Sequence, residues 1–570
     1  MTIRLHEKFS PFGKLILGAL LVTVLGLAVP ALASAAWTVD STGDQTDQTL
    51  GDGFCKTAAS TCTLRAAIEE SNAEGGTQEI FFGPTFNGQA GSTIVLGSAL
   101  PAFHPALGEI NGVSAGACLT SSLATGPCVE VDAPAGAKTL EVSAGGETTI
   151  KGLDLAGGAV GIEALAAGPL VAEENWIGKK LDGTAATATS TGVNVADAAA
   201  IVGNSISGSP IGVHTSGADA QGNRIRLNVI SGATSAGILI ENSSNQVFGN
   251  QVSNSGIGIR IHDGTAPAEE NKIGGVQFGA VDPDANLITG SAGAAIEINT
   301  ASTSVANKVL RNSGSGNGGP FIALVKLSPG EPKGPNEGLQ PPVITTATLT
   351  GASGTAEPES FVRVYANATV GEGEMGTFLG LAEAAPITGA WSLTYAAPPA
   401  TANFAASQTT AEDEGSSSAL AFTKYVLKVQ KAGSGAGTVT SAPAGINCGA
   451  QCEASFAKGG LVKLLGSAAA GSSAVVWAGC DAVNGAGECE VTMSAAKSVT
   501  ATFDLIPSSG GGGDGGGGGS GTPTPTPTPS PVPTKPAPVK KPLKCKAGFK
   551  KKTLKGKAIC VKVKKARKHH

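Results

Sequence analysis

The sequence predicts a mainly β protein whose largest part is a parallel β-helix. Between about residues 145 and 320 two short elements recur: an apolar strand after Gly or Ala, as in "GILIEN" at 237, and an apolar strand after Asn, as in "NVISG" at 228. Asn228 and Asn250 are 22 residues apart, and a period near this length, with two or three short strands, is typical of one β-solenoid coil. Gly is frequent, at 82 of 570 residues, which suits many sharp corners.

The N-terminus predicts export. Three basic residues precede a short apolar run over residues 15–29, and the small residues 33–35 form an A-x-A cleavage site. The alternative, a membrane anchor, requires about 20 apolar residues, and this run is shorter. We therefore expect residues 1–35 to be a signal peptide. The mature chain would be secreted, extracellular or associated with the cell wall, without a membrane-spanning segment.

Residues 36–110 are predicted to form an N-terminal cap and the first coils. Leu64, Ala67, Ile68 and Ser71 have the spacing of one face of a short helix. The β-like runs "EIFFG" at 79–83 and "STIVLG" at 92–97 follow it. A helix before the first strands would cover the open end of the solenoid, where backbone groups otherwise stay unpaired.

The remaining segments differ in composition. The main β-helix is expected over 111–333, and "GPNEGLQPP" at 334–342 is typical of a proline-rich linker. Short alternating strands such as "FVRVYAN", with a final "AFTKYV", indicate a small β-sandwich. The segments after the linker are the sandwich at 343–425, a second strand-rich unit at 426–505, a disordered Gly/Pro-rich linker at 506–542 and a Lys-rich tail at 543–570.

Ten cysteines fall into five local couples, and export favours disulfides. The couples are Cys55 and Cys62, Cys118 and Cys128, Cys448 and Cys452, Cys480 and Cys489, and Cys545 and Cys560. Four of these cysteines, in 426–505, could instead bind zinc, but their spacings are loose for a four-thiolate site. Two local disulfides are the favoured interpretation.

Charge is distributed very unevenly. Residues 535–570 contain 14 Lys and one Arg without any Asp or Glu, although the whole chain has a net charge of −5. Such a one-signed segment usually meets a polyanion. We expect an anionic cell wall or extracellular polysaccharide as the partner. Nucleic acid is less favoured, because only Phe549 could provide an aromatic platform. The alternative is a tail that is merely solvated.

Part of the chain resembles the bacterial secreted proteins that carry a CSLREA motif. The match is "CTLRAA" at 62–67, with "VDSTGDQTDQTLGDGFC" before it and "NWIGKKLDGTAA" and "NKIGG" after it. This resemblance covers roughly 36–320 and implies an extracellular right-handed parallel β-helix of the pectin-lyase-like class. Residues 343–425 are similar to an Ig-like module, and 426–505 resemble divergent internalin-type B repeats. The group has no single established activity.

Candidates for catalysis are carboxylates on the repeats, since β-helix enzymes that cleave polyuronides need clustered acids beside a base or a cation. Glu163, Glu241 and Glu297 could stack on one face. His262 and Asp263 follow Arg260 closely, and these three residues with Glu241 are the best catalytic candidates. The alternative is a set of polar positions on a solvated sheet. The full set of carboxylates is Asp154, Glu163, Asp182, Asp197, Asp219, Glu241, Asp263 and Glu297.

Other polar patterns have structural interpretations. The repeated Asn residues could bind sugar, but stacked Asn side chains at corners more often bond to the backbone of neighbouring coils. We predict such a ladder from Asn175, Asn204, Asn228, Asn250, Asn286 and Asn307. No cofactor is expected. Calcium is an alternative occupant of "DPDAN" at 282–286 and of an acidic run formed by Asp40, Asp44, Asp47 and Asp52.

Two functions from different classes remain at this point. The first is a non-enzymatic, monomeric binding or adhesion scaffold at the cell surface, held to the anionic wall by its basic tail. The second is an extracellular polysaccharide lyase or glycoside hydrolase that acts in a groove along the helix. They differ in whether the candidate side chains converge in one groove.

Overall fold

The computed structural model describes most of the chain between residues 35 and 506, together with the backbone of a hairpin near the C-terminus. The hairpin strands are Phe549–Leu554 and Lys557–Lys562. Within 35–506, the residues outside the description are 88–91, 115–125, 144–145, 166–167, 183, 185, 187–189, 197, 218–221, 276–283, 329, 331–332, 368–374, 397–402 and 411–416. Residues 1–34 also lie outside it, so the predicted signal peptide and its cleavage site stay predictions.

The larger part of the chain is a right-handed parallel β-helix. Three parallel sheets of ten, nine and eight strands run along it. The first coil adds a strand to sheet A only, the second to sheets A and B, and each later coil to all three. Sheet A consists of Ala35–Val39, Thr77–Phe82, Leu107–Asn111, Thr148–Lys151, Leu170–Glu173, Ala200–Val202, Arg224–Arg226, Gln246–Phe248, Lys272–Ile273 and Lys308–Val309. Sheet B consists of Thr93–Val95, Val129–Ala133, Leu153–Gly157, Trp176–Ile177, Ser205–Ser207, Val229–Ser231, Gln251–Ser253, Asn286–Thr289 and Asn312–Ser315. Sheet C consists of Lys138–Glu141, Val160–Ala164, Thr191–Val195, Ile211–Thr215, Ala236–Ile240, Ile257–His262, Ile296–Asn299 and Ile322–Leu324.

The interior is a stack of aliphatic side chains in register. In sheet C, Val193, Val213, Ile238 and Ile259 occupy equivalent positions of successive coils, and each is 0% exposed. Neighbouring strands lie about 4.8 Å apart, so each side chain packs on its counterpart above and below. Burial of this continuous apolar column is the main stabilising contribution to the rod.

The Gly residues that open the sheet C strands have a different role from the predicted one. They lie within the strands instead of at corners. A Cβ on Gly212 would lie 2.5 Å from the carbonyl oxygen of Gly237 in the next coil and 2.6 Å from a methyl group of Ile230. The repeated Gly therefore leaves room for the backbone of the next coil and for a core side chain, which a Cβ at this position would displace.

Two asparagine ladders run along the corners. The predicted ladder contains Asn175, Asn204, Asn228, Asn250 and Asn286, and all five side chains are buried. Each side chain of this ladder bonds to the backbone and to the amide of the next Asn, which confirms the structural interpretation. Asn307 was assigned to the wrong ladder, because the sixth member is Asn312, whose Oδ1 accepts from Asn286 Nδ2 at 2.9 Å. Asn307 belongs to a second ladder that the sequence prediction missed, formed by Asn223, Asn245, Asn271, Asn307 and Asn336.

The predicted N-terminal helix is confirmed as Leu64–Glu74, and its apolar face is buried. Its place in the chain differs from the prediction, because the strand Ala35–Val39 comes first and pairs in parallel with Thr77–Phe82. The helix therefore occupies the part of the first coil where sheets B and C have no strand. The side chains of Leu64 and Ile68 extend the aliphatic core at this end.

Arg65 and Glu70 attach the preceding loop to this helix. The guanidinium of Arg65 pairs with both oxygens of Asp44, at 2.9 and 3.0 Å, and also donates to the carbonyls of Ser98 and Ala99. The buried carboxylate of Glu70 accepts from the backbone N–H groups of Gly51 and Gly53. The Arg of the "CTLRAA" segment thus has a structural role.

Three of the predicted disulfides are formed: Cys55–Cys62, Cys448–Cys452 and Cys480–Cys489. Cys128 is also disulfide-bonded. Its predicted partner, Cys118, lies outside the described residues, as does Cys545 of the tail couple. For Cys560 only the backbone is described.

Two small β units follow the β-helix. The first is antiparallel, and the second is antiparallel except that Lys424–Ala432 and Lys497–Thr502 pair in parallel. The first has two facing sheets, one formed by Val343–Ala347, Gly351–Thr355 and Ala390–Thr394 and the other by Phe361–Asn367, Thr377–Glu383, Asn403–Thr409 and Ala421–Phe422. The second unit has a sheet of Lys424–Ala432, Glu453–Ala457, Val476–Ala478 and Lys497–Thr502. Its other sheet contains Gly437–Ala442, Asn447–Cys448, Leu461–Ala468, Ala482–Val483 and Cys489–Thr492.

One prediction about the junctions was wrong, and another was incomplete. "AFTKYV" is not one strand, because Ala421–Phe422 pairs with Asn403–Thr409 whereas Lys424 onward pairs with Glu453–Ala457. The segment 334–342 is more than a linker, since it contains the short 3₁₀ turn Asn336–Gly338. Asn336 is buried and ends the second ladder, and its Nδ2 also donates to the carbonyl of Ser417 in the sandwich. This segment therefore joins the β-helix to the sandwich through specific contacts.

Residues 507–570 form a separate unit. Its hairpin is antiparallel, with Lys551 opposite Cys560 and Lys552 opposite Ile559.

A further 3₁₀ turn at Gly112–Ser114 lies in the β-helix. In the described part of the chain, no helix has the length and apolar character needed to cross a membrane.

Candidate functional site on the outer faces of the helix

A column of polar side chains runs along the outer face of sheet C. The strand register places one outward-facing residue of each coil directly above its counterpart in the coil before. The residues on either side of it in each strand point into the core. His214 and Arg260 stand in this column, two coils apart, with Leu239 between them. The column consists of Glu141, Glu163, Asn194, His214, Leu239, Arg260 and Glu297.

Charged groups in this column have charged partners, either in the column or directly beside it. Arg260 Nε lies 2.8 Å from Glu297 Oε1, and His214 Nε2 lies 2.9 Å from Glu241 Oε2. Lys138 pairs with Glu141 and Glu163, whose hydrogen bonds raise the pKa of its ammonium group. The face therefore presents local ion pairs along several coils, without a single focus of charge.

The stacking prediction was correct for two of three glutamates. Glu163 and Glu297 both stand in the column, but Glu241 does not, because Leu239 occupies the equivalent position. Glu241 follows the end of the strand Ala236–Ile240 and reaches back to His214 of the preceding coil. This arrangement depends on where the strand ends, which the periodicity could not predict.

His262 and Asp263 brace a corner. Asp263 accepts from the backbone N–H groups of Ala268 and Ala301, at 2.8 and 2.6 Å, and from the hydroxyl of Ser304. His262 Nδ1 lies 2.6 Å from the carbonyl oxygen of Asp263. Hence the four catalytic candidates Glu241, Arg260, His262 and Asp263 have different partners.

A more unusual acidic cluster lies on sheet B. Glu130 and Asp154 are paired in register, and Trp176 follows in the next coil. Asp154 is 0% exposed, and neither of its carboxylate oxygens has a hydrogen-bond partner among the described residues. Burial, followed by the charge of Glu130, raises the pKa of Asp154 to about 8. This carboxyl group is therefore largely protonated at neutral pH.

The segment after Trp176–Ile177 covers this cluster. The backbone N–H of Leu181 donates to Glu130 Oε2 at 2.7 Å, and Lys180 Nζ lies 3.2 Å from Asp132 Oδ2. The ammonium of Lys179 lies 5.1 Å from the ring centroid of Trp176. Asp154 was one of many candidate carboxylates in the sequence, but this covering segment could not be foreseen. Asp197 and Asp219 lie outside the described residues.

The acidic run before the helix has backbone partners. Asp40 accepts from the N–H of Cys62, Asp47 from those of Thr49 and Lys56, and Asp52 from that of Phe54. Asp44 is paired with Arg65. Within the described residues, no group of three or more His, Cys, Asp or Glu side chains is arranged to hold a metal ion.

The fold and these faces define a protein of the parallel β-helix class. The sequence profile of a family described as periplasmic copper-binding protein (NosD) matches residues 130–281. No curated protein sequence matches the chain. Among solved structures, a mutant of the periplasmic alginate epimerase AlgG aligns with a TM-score of 0.25 and 15% identity, covering 44% of this chain and 68% of that one. The Dettilon tailspike protein aligns with a TM-score of 0.31 and 11% identity, covering 80% and 92%.

The copper chemistry in that family description does not fit the residues present here. The matched segment contains no Cys or Met, and its histidines are His214 and His262. His214 bonds to Glu241, and His262 bonds to the carbonyl oxygen of Asp263. The two histidines belong to different register columns, so they do not provide a shared set of soft or imidazole ligands.

Proposed function

We propose that this chain is a secreted or cell-surface β-helix protein that acts as a non-enzymatic scaffold for binding extracellular polysaccharide. The observation that supports this most is the pairing on the outer face of sheet C. Arg260 is engaged by Glu297, and Asp263 is engaged by backbone N–H groups. A polysaccharide-cleaving site needs an acid and a base, or a base and a cation, directed at one bond. In this chain Arg260 and Asp263 bond to different neighbouring groups and are not directed at a common point.

The other units fit this proposal as spacers and an anchor. The sandwich and the second β unit, proposed to be Ig-like and B-repeat modules, would hold the rod away from the surface. The Lys-rich tail would bind the anionic wall by charge. Export through the predicted signal peptide agrees with the disulfides, which form in oxidising compartments. The family matched at 130–281 is described as periplasmic, which also agrees with export.

One observation favours a polysaccharide lyase or glycoside hydrolase as the second candidate. The His214–Glu241 pair is only partly buried, and Arg260 stands two coils further along the same column. A histidine oriented by a carboxylate is a common general base.

A product assay separates the two candidates. The full mature chain is incubated with polyuronides and bacterial wall glycans, and new reducing ends and unsaturated products are measured. We expect binding without product. Product that disappears in Glu241→Gln but persists in the exposed control Glu270→Gln would establish the enzyme and overturn the scaffold.

A further inference from the structure

Sheet A presents an outer face that differs from that of sheet C. In its later coils the outward positions carry Arg224, Arg226, Gln246, Phe248 and Lys272, which we call the basic stripe. Register places Arg224 beside Gln246 and Gln246 beside Lys272, while Arg226 stands beside Phe248. The alternate positions between them are the buried residues Ile225, Val247 and Ile273. The stripe is therefore a flat surface on a rigid core.

The cations of the stripe are not neutralised internally. Arg224 and Arg226 are exposed, and Lys272 is half-buried. None of the three forms an ion pair with a carboxylate in the part of the chain that is described. The exposed Glu270 precedes Lys272 at a corner, where it lies 3.5 Å from the hydroxyl of Ser244.

Two outward cations elsewhere on the same rod are paired with carboxylates. In the earlier coils of sheet A, Lys151 lies 2.8 Å from Glu109, and on sheet C Arg260 is held by Glu297. Like charges that project from one strand face repel each other. Unneutralised cations at this position therefore provide charge complementarity for an anionic partner.

The two uncharged residues of the basic stripe, Gln246 and Phe248, indicate which class of anion the stripe would bind. The guanidinium carbon of Arg226 lies 5.8 Å from the ring centroid of Phe248, whose ring is half-buried. A partly exposed aromatic ring can pack on the apolar face of a sugar ring, and the amide of Gln246 can bond to a hydroxyl group. Arginine forks match carboxylates in a bidentate manner.

We infer that the basic stripe binds a carboxylate-bearing polysaccharide, a polyuronide, laid along the axis of the β-helix. Successive coils repeat about every 4.8 Å along the axis. A linear chain of charged sugars laid along the axis can therefore contact the arginines of one coil, Gln246 and Phe248 of the next, and Lys272 of the one after. The inference rests on the proposed scaffold function and adds to it the face and the chemistry of the ligand.

The test is calorimetric titration of the full mature chain with short oligogalacturonates. The double variant Arg224→Gln with Arg226→Gln removes two exposed cations from the stripe. The control, Lys424→Gln with Lys428→Gln, removes two exposed cations from the second β unit and leaves the tail and the net charge matched. We expect roughly tenfold weaker binding in the stripe variant and unchanged binding in the control. Phe248→Leu, which keeps every charge, should also weaken binding.

The possible results have distinct meanings. If wild-type protein binds oligogalacturonate and the stripe variant binds equally well, the stripe is not the site, while the scaffold function stands. If the stripe variant loses polyphosphate or single-stranded DNA as strongly as oligogalacturonate, the polyuronide assignment is overturned in favour of a general polyanion surface. If wild-type protein binds no glycan at all, the scaffold function fails as well. Circular dichroism of each variant verifies the fold.

Discussion

Asn228 Oδ1 accepts two hydrogen bonds from Asn204, one from the backbone N–H at 2.9 Å and one from the side-chain amide at 3.0 Å. Both residues are fully buried. The pair links two consecutive coils at a corner, where the backbone turns away from the sheet ladder. The same contact recurs along the rod, so the corner asparagines satisfy buried groups that the sheets leave unpaired.

We predict that Asn228→Ala strongly destabilises the β-helix. It leaves the backbone N–H of Asn204 and the carbonyl of Ile201 without the Asn228 side chain, and it removes one of three acceptors of Asn204 Nδ2. Each unpaired buried group costs about 1–3 kcal/mol. Chemical unfolding measures the loss. Gln251→Ala, at an exposed position of a sheet B strand, is the control and should have little effect. Equal unfolding midpoints for the two variants would contradict the ladder's role.

Arg65 should require both its charge and its forked shape. Breaking a buried ion pair costs about 3–5 kcal/mol, so Arg65→Ala should lower stability markedly. Arg65→Lys should recover only part of the loss, because an ammonium group cannot reach Asp44 and two carbonyls together. Hydrogen exchange of residues 40–60 should speed up in both variants and stay unchanged in the exposed control Lys56→Ala. Full rescue by Lys would show that charge alone matters.

Asp154 should make the protein less stable as the pH rises. Its folded pKa, about 8, exceeds the ordinary value of 3.8, so between these values the folded state holds a proton that the unfolded state has lost. Raising the pH through this window therefore costs stability, by up to about 1.4 kcal/mol per pH unit. Above pH 8 the cost stops growing.

The matching variant is Asp154→Asn, which is neutral at every pH. Thermal unfolding at pH 5 to 8 should show its advantage over wild type increasing with pH. Asp182→Asn serves as the control. Hydrogen bonds from Thr184 lower the pKa of the exposed Asp182 carboxyl, so this group is ionised throughout pH 5 to 8 and the effect of its replacement should not change with pH. A constant difference between Asp154→Asn and wild type would show that Asp154 is ionised throughout.

The basic tail should retain the protein on the cell wall by charge. Deleting residues 535–570 should shift the protein to the medium, and 1 M salt should release the intact protein, since charges are then screened beyond about 3 Å. Deleting the Gly-rich residues 510–519 keeps the tail and should leave retention unchanged. Fractionation of cells and medium measures each case. Retention that survives both tail deletion and high salt would rule out electrostatic anchoring.

The sequence by itself determined the repeating features of this protein. The spacing of apolar strands predicted the β-helix, and the inward positions, such as Val213 and Ile238, follow directly from alternation within each strand. The local helix at Leu64–Glu74 and three disulfides were also predictable, because residues close in the sequence form them. These features depend on local geometry that is repeated in every coil.

Only the tertiary structure decided which outward side chains meet. Asn307 was placed in the wrong ladder because the corners vary in length from coil to coil, and the sequence does not show which corner each Asn occupies. Glu241 contacts His214 instead of joining the column, and the segment after Trp176 covers Asp154. The interior repeats because every coil fills the same narrow space, whereas the outer faces depend on segments that fold back across several coils.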